Sequence, residues 1–455
     1  MFRIVLLGVL LLLVPARASA HPHLVRSSPA GGAHLTTSPS EIRLVFSEAP
    51  MMAATHFFLL SSHNDTIHVD SLRHDPADSH VVFASIPSAL VPDSYTVHWY
   101  TVAADGHGAN GKIAFTVSGS QSSTSIATPK GAMPVDTGNP TSPTPDKKFA
   151  ESAVQVALGA PMWFARWLGF VSLFVLIGAA SFKHLILDRT FRRSSDSEVF
   201  YQIAATGAAT AGLFAAIVLI VASVIKLYGE AEVMHGVSLG SILASTSWGH
   251  AWVVQLIAAV VALAAFAAAH RRNNSAWLIT AVCALILAAT PALTGHAISS
   301  DEAVFAVPVD IAHVLAGSVW LGTLSLILVV GLGSAAKSPD TNSLGARLAD
   351  MVNAFSPVAL VCGAMVVATG AATGLMHVHP LSQLWKSTYG MALIVKLALV
   401  SLLFTLGAWN WRRVKPNLGG DEGVRALRFS AKLELTASVL VLAVTAFLVA
   451  LPLPE

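Results

Sequence analysis

Charge is scarce in this chain. Of 455 residues, 11% are Asp, Glu, Lys or Arg, against about a quarter in ordinary soluble domains. Hydrophobic residues make up 54%. That balance excludes a wholly water-soluble chain and a disordered one. A formal net charge of +2 leaves no basic surface for nucleic acid. Cysteine is scarcer still: Cys283 and Cys362 are the only two. They are too few for a disulfide scaffold or a Cys-rich zinc or iron–sulfur centre. No GxxxxGK[ST] phosphate loop, DKTG segment or CPC helix occurs. Neither nucleic acid nor ATP is therefore an expected partner. Histidine, by contrast, is abundant: there are 18, ten of them between His21 and His107.

Residues 1–20 read as a secretory signal peptide, with Arg3 at the start, an apolar run from Ile4 to Val14 and the small-residue site Ala18-Ser19-Ala20. The run is shorter than the ~20 residues a spanning helix needs. Cleavage after Ala20 makes His21 the mature N-terminus. Residues 21–118 predict a small all-β sandwich or barrel, cupredoxin-like or Ig-like. Ile42–Phe46, Thr96–Tyr100 and Lys112–Val117 alternate apolar and polar, and Pro, Gly, Asp and Ser clusters separate them. Residues 119–150, rich in Ser, Thr and Pro, predict an extended tether.

Residues 151–455 predict an all-α integral membrane bundle. Eight long apolar segments, roughly 160–187, 200–228, 250–269, 275–293, 303–333, 350–376, 389–411 and 429–452, are each long enough to cross a bilayer. Loops after the odd-numbered segments carry Arg189, Arg192, Arg193, Arg271, Arg272, Lys337, Arg347, Arg412, Arg413, Lys415, Arg425 and Arg428. The opposite loops carry only Lys386. This asymmetry places the former in the cytoplasm. It predicts an inner-membrane protein whose N-terminal domain and C-terminus are both periplasmic.

A mature N-terminal His21 offers its α-amine and ring Nδ1 as one chelate, a pairing that suits Cu(II). Pro22 has no N–H to surrender, so the alternative chelate through backbone amides to His23 is blocked at one ligand. Asp105-Gly106-His107, in a turn before the last strand, sets a carboxylate and an imidazole close together. Alone, that turn also reads as an Asp–Gly turn bearing a surface histidine. His34, His56, His63, His68, His74 and His80 read as surface histidines or as weak auxiliary ligands.

These features resemble the periplasmic copper-binding CopC family. The resemblance rests on His21-Pro22, Ser28-Pro29-Ala30-Gly31-Gly32, Leu44-Val45-Phe46-Ser47-Glu48, and Asp105-Gly106-His107 followed by Gly111-Lys112 and Phe115. It implies that His21, Asp105 and His107 hold Cu(II). Some members carry a Met-rich Cu(I) segment; here only Met51 and Met52 lie between His21 and the tether.

Ionisable groups inside apolar helices are functional candidates by default. His235, His250, His296, His377 and His379 fall in the exported loops or at exported helix ends, and Met376 lies near them. His313 falls in the exported half of the fifth helix. Asp310 is three residues earlier, on the same face. It either orients the imidazole or is itself a ligand. These residues are candidates for a copper path, with thioethers favouring Cu(I). Lys396, Asn410 and Glu434 are structural or coupling candidates, and Lys396 and Glu434 read as a pair on adjacent helices.

The segments Thr294-Gly295-His296-Ala297, Asp310-Ile311-Ala312-His313 with Trp320-Leu321-Gly322, and Tyr389-Gly390 to Asn410 resemble the CopD family of copper-resistance membrane proteins. The combined resemblance is a CopC–CopD fusion. It implies periplasmic copper binding, copper import across the inner membrane, and copper homeostasis or resistance, with a periplasmic copper chaperone as a candidate partner. The expectation is a non-enzymatic transporter. The alternatives are a haem- or copper-containing redox protein, with His184 and His313 among the haem candidates, and sequestration without transport.

Overall fold

The structure is a computed structural model. It describes residues 24–118 except 48, 51, 53, 54, 64, 68, 71 and 103–107. It also describes 159–451 except 192–196, 234–237, 296–302, 339–343, 378–381 and 419–420. The expected signal peptide at 1–20 and tether at 119–150 lie outside the described residues.

Among the described residues, nine strands form the first unit: β1 (Leu24–Ser28), β2 (His34–Leu35), β3 (Glu41–Phe46), β4 (His56–Leu60), β5 (Thr66–Ile67), β6 (Leu72–Asp75), β7 (Asp78–Ser85), β8 (Asp93–Val102) and β9 (Gly108–Val117). They make two sheets, ordered β1-β3-β7-β6 and β2-β9-β8-β4-β5. Alternation in β3 turns Ile42, Leu44 and Phe46 inward. They meet Tyr95, Val97 and Trp99 of β8 and Ile113, Phe115 and Val117 of β9 in one core. The Phe46 and Trp99 rings meet edge to face at 5.1 Å. The expected strands at 42–46, 96–100 and 112–117 are thus β3 and parts of β8 and β9. Burial holds the Tyr95 hydroxyl above the usual phenol range. That hydroxyl donates to the Val91 carbonyl at 2.7 Å.

Among the described residues, the helical unit has eight helices long and apolar enough to cross a membrane. They are α1 (Ala160–Thr190), α2 (Glu198–Ala231), α3 (Ser247–His270), α4 (Ala276–Leu293), α5 (Ala303–Lys337), α6 (Leu344–Met376), α7 (Thr388–Asn417) and α8 (Glu422–Leu448). Short connectors make successive helices run in alternating directions. The upper end is defined as the one where odd-numbered helices begin.

Small residues set the closest crossing. A Cβ on Gly178 of α1 would collide with the backbone of Gly322 of α5, so two glycines let these helices touch backbone to backbone. Trp163 and Trp167 of α1 donate to the Ala443 and Val439 carbonyls of α8 at 3.1 and 3.3 Å. Near the lower end, the Lys183 ammonium and the Tyr201 hydroxyl each donate to Asp188 at 2.7 Å. One expectation needs correction here. Arg347 is not a loop residue: α6 begins at Leu344. Arg347 is only 1% exposed, its guanidinium lying 5.2 Å from the Phe200 ring centre. Aromatic stacking makes burial of this delocalised cation tolerable.

Candidate functional site

The exported copper ligands inferred from sequence, His21, Asp105 and His107, lie outside the described residues. The residues that flank them are described. Leu24, at the start of β1, pairs with Phe46. The Phe46 ring rests on Trp99. Trp99 is paired with Gly111 near the close of the β8–β9 hairpin, whose last described pair is Val102 with Gly108. The first described strand and the hairpin that carries Asp105-Gly106-His107 therefore meet at one end of the sandwich. A Cβ on Gly111 would come within 2.5 Å of the Trp99 ring, so glycine is required for this close stacking.

In the helical unit, His235, His296 and His379 also lie outside the described residues. His250 is exposed on the first turn of α3. His377 ends the helix that contains α6, and its side chain is not among those described. Met376 is 36% exposed. Among the described residues, no three His, Cys, Asp or Glu side chains form a metal-binding group.

Asp310 and His313 do come together with partners from other helices. The His313 Nδ1 lies 2.9 Å from the Thr369 hydroxyl of α6. That hydroxyl spends its one proton on the Met365 carbonyl at 2.6 Å. Its oxygen therefore accepts from Nδ1–H, which assigns the tautomer and leaves the Nε2 lone pair for a ligand. Gly370 makes room for the ring: a Cβ there would sit 3.3 Å from His313 Cε1. Lys396 of α7 acts electrostatically on both Asp310 and His313. Asp310 acts in turn on Tyr389.

The half-buried Asp310 carboxyl and Lys396 ammonium and the Tyr389 hydroxyl form no hydrogen bond or ion pair among the described residues. Tyr389 is nevertheless only 7% exposed. Unpartnered polar groups inside an apolar bundle are costly. Their convergence from α5 and α7 around His313 of α5, held by Thr369 of α6, marks a place built for a ligand.

Below this cluster the bundle closes. Trp320 of α5 and Phe404 of α7 pack with ring centres 4.9 Å apart. Phe404 also lies against Gly363 of α6, 3.0 Å from where a Cβ would stand. From His313 to Trp320 is seven residues, about 10 Å of helix rise. From Gly370 to Gly363 is the same, and from Lys396 to Phe404 slightly more. Three helices thus supply one aromatic layer at a common depth.

Deeper still, the Asn410 amide donates to Glu434 of α8 at 2.8 Å, and Lys415 donates to Ser356 at 3.1 Å. The expected Lys396–Glu434 pair does not form. Glu434 takes Asn410, which lies 14 residues, about 21 Å of rise, below Lys396 on the same helix. His184 is also a poor haem ligand: Nε2 donates to the Trp277 carbonyl at 3.1 Å and Nδ1 lies 3.4 Å from Asp188.

Sequence reasoning missed Thr369 and Phe404. A threonine beside a glycine, within an apolar segment and level with His313, was the available signal for the first. Phe404 gave none, because one aromatic among many carries no depth information until the helices are assembled.

Comparison with known proteins assigns the parts. The family model "CopC domain" matches residues 24–118. "Copper resistance protein D-like, N-terminal domain" matches 157–306, and "Copper resistance protein D" matches 349–448. The chain is 24% identical over 418 residues to "Copper transport protein CutJ" of Bacillus subtilis (strain 168), covering 89% of this chain and 70% of that protein. It is 28% identical over 294 residues to "Copper resistance protein D" of Pseudomonas syringae pv. tomato, covering 62% of this chain and 94% of that protein. It is 30% identical over 105 residues to "Protein YobA" of Escherichia coli (strain K12), covering 23% of this chain and 85% of that protein. With a CopC domain at its N-terminal end and both CopD-type regions after it, the chain belongs to the copper resistance and transport families as a CopC–CopD fusion.

Proposed function

We propose that this protein captures copper on the exported side of the bacterial inner membrane and imports it through the bundle formed by α5, α6 and α7. Copper is the cargo. The exported domain binds Cu(II) through His21, Asp105 and His107, supplied by a periplasmic copper chaperone. The upper end of the bundle faces the periplasm, in keeping with the Lys and Arg excess in the opposite loops.

The observation that carries the reading is His313 at the upper end, its Nδ1 held by Thr369, with Asp310 one helical turn away and with Asp310, Tyr389 and Lys396 forming no hydrogen bond or ion pair among the described residues. Only His313 among these side chains is a good ligand for a soft cation; the Asp310 carboxylate is a hard oxygen donor. Such a site holds an ion loosely, and conduction requires that the ion can leave. Cu(I), which suits imidazole and thioether donors, fits this transit site, with Met376 at the end of α6 on its approach. The Trp320–Phe404 layer then acts as a hydrophobic gate. The membrane potential supplies ~2.3 kcal/mol per charge per 100 mV toward the cytoplasm, so no nucleotide is needed. No side chain is assigned a catalytic role, and the protein is read as a transporter rather than an enzyme.

The test is copper accumulation in cells that express the full chain or its His313→Ala form. Accumulation that rises with the wild type, and stays at background with an equally abundant variant, supports import through this site. Copper retained only in the periplasm supports sequestration and overturns import.

A further inference from the structure

Among the described residues, Glu434 is the most buried acid: it is 5% exposed, on a helix of the apolar bundle. Its carboxyl has one hydrogen bond, from the neutral Asn410 amide, with Nδ2 donating to Oε1 at 2.8 Å. A carboxylate that leaves water for a single neutral donor is costly. No titratable group on the helices packed against α8 forms a hydrogen bond or ion pair with it. On α7, Arg412 and Arg413 are exposed, Lys415 donates to Ser356 and Lys396 lies about 21 Å of rise higher. On α6, Asp350 is exposed and Arg347 lies against the Phe200 ring. On α1, Arg166 lies 3.6 Å from Glu230, and Lys183 and His184 engage Asp188. On α8 itself, Arg428 and Lys432 are exposed.

The partner amide has the complementary defect. Asn410 Oδ1 is buried and has no hydrogen-bond partner. An orphaned buried acceptor calls for a donor, and a protonated carboxyl carries one. One proton on Glu434 therefore repairs both defects. Oδ1 shares its carbon with Nδ2, and Oε2 shares its carbon with Oε1. With Nδ2–H on Oε1, a hydroxyl on Oε2 turns toward Oδ1 and closes a ring of two hydrogen bonds. The pair also has a telling place on α7. Asn410 lies six residues below Phe404 of the aromatic layer, about 9 Å of rise. It opens the π-helical turn Asn410–Val414, and such turns concentrate at functional positions.

Building on the transport reading above, we propose that Glu434 is a proton-binding site that trades its proton for the charge of a monovalent metal ion that has passed the Trp320–Phe404 layer. At rest the carboxyl is protonated and bound to both ends of the Asn410 amide. With an ion below the layer, the Oε2–H bond breaks, the proton leaves to water on the lower side, and the carboxylate balances the ion's charge. When the ion departs a proton returns, so none is consumed. Proton and metal ion oppose each other's binding by the same factor. The carboxyl supplies charge and does not ligate the metal.

The experiment uses the full chain in sealed vesicles whose lumen stands for the cytoplasm, with two readouts. Infrared difference spectra, without copper, compare wild type, Glu434→Gln and Asn410→Leu. The wild type shows the carbonyl stretch of a protonated carboxyl. Glu434→Gln, whose amide keeps both hydrogen bonds and so preserves the packing, lacks it. In Asn410→Leu the band moves to higher frequency, because the carbonyl has lost its N–H donor. No Glu434-dependent band, or an unmoved band in Asn410→Leu, overturns the proton site. The second readout is Cu(I) influx, with ascorbate as reductant, at fixed external pH and fixed potential while lumenal pH is varied. Wild-type influx falls as the lumen is acidified, by up to about tenfold per pH unit, the limit for one proton opposing one monovalent ion. Glu434→Gln stays at the low-pH level throughout. A wild type indifferent to lumenal pH, or a Gln variant with the wild-type dependence, overturns the exchange. A wild type that moves no Cu(I) at any pH overturns the transport reading instead, and the infrared band still decides the proton site.

Discussion

Replacing Thr369 with Val removes one hydroxyl and keeps the branched shape. In the wild type this oxygen accepts from His313 Nδ1–H at 2.9 Å while donating to the Met365 carbonyl at 2.6 Å. The Met365 carbonyl keeps its place in the helix, so the loss falls on His313. His313 then loses its Thr369 acceptor and keeps only the Val366 carbonyl as a hydrogen-bond partner, at a cost of about 1 kcal/mol. The ring can escape by rotating or by exchanging tautomers, and either movement takes the Nε2 lone pair away from the site. Residues that orient a metal-binding histidine typically contribute about 10–100-fold in affinity. The half-saturating copper concentration for uptake should therefore rise roughly tenfold or more. The maximal rate should change less, because the gate at Trp320 and Phe404 is untouched. Thr369→Ser keeps the hydroxyl and should stay close to wild type. The assay is initial copper uptake against copper concentration in cells with matched protein levels. Wild-type half-saturation in Thr369→Val would refute the assignment of His313 as a ligand through Nε2.

Three further outcomes follow from other parts of the structure. Phe404→Ala opens the aromatic layer opposite Gly363 and should raise copper flux while weakening dependence on membrane potential; unchanged flux in folded protein would put the gate elsewhere. Tyr95→Phe should cost the exported domain about 1 kcal/mol in urea unfolding, through the lost bond to Val91. Because burial raises the Tyr95 hydroxyl pKa, the wild-type contribution is intact below the ordinary phenol value of about 10 and is lost as pH climbs past it. The variant should show a shallower alkaline decline, and an identical one would contradict this. His21→Ala in the mature domain should abolish tight Cu(II) binding in a competition titration, whereas wild-type affinity would remove the N-terminal chelate from the account.

Periodicity made much of the fold legible. The two-residue alternation of Ile42, Leu44 and Phe46 predicts both strand and inward face, and β3 has both. Apolar run length predicts the eight helices because a spanning segment has to meet a thickness. What one-dimensional reading lacks is the order of helices around the bundle. It paired Lys396 with Glu434 because the two helices are adjacent, but depth decides partners, and Glu434 lies level with Asn410. It placed Arg347 in a loop because charge usually marks one, yet the Phe200 ring buries it. Asp310 and His313 stood out as ionisable groups in an apolar segment. Thr369, which orients the histidine, resembled any helix threonine until α6 was set against α5.

The central claim is that copper passes His313. Its most direct test is initial Cu(I) influx into sealed vesicles that carry the purified full chain and enclose a Cu(I)-specific indicator. Wild type and His313→Ala are compared at equal incorporation and with an imposed inside-negative potential. The account predicts influx with the wild type that strengthens with the potential, and background influx with the variant. Equal influx from both would contradict it.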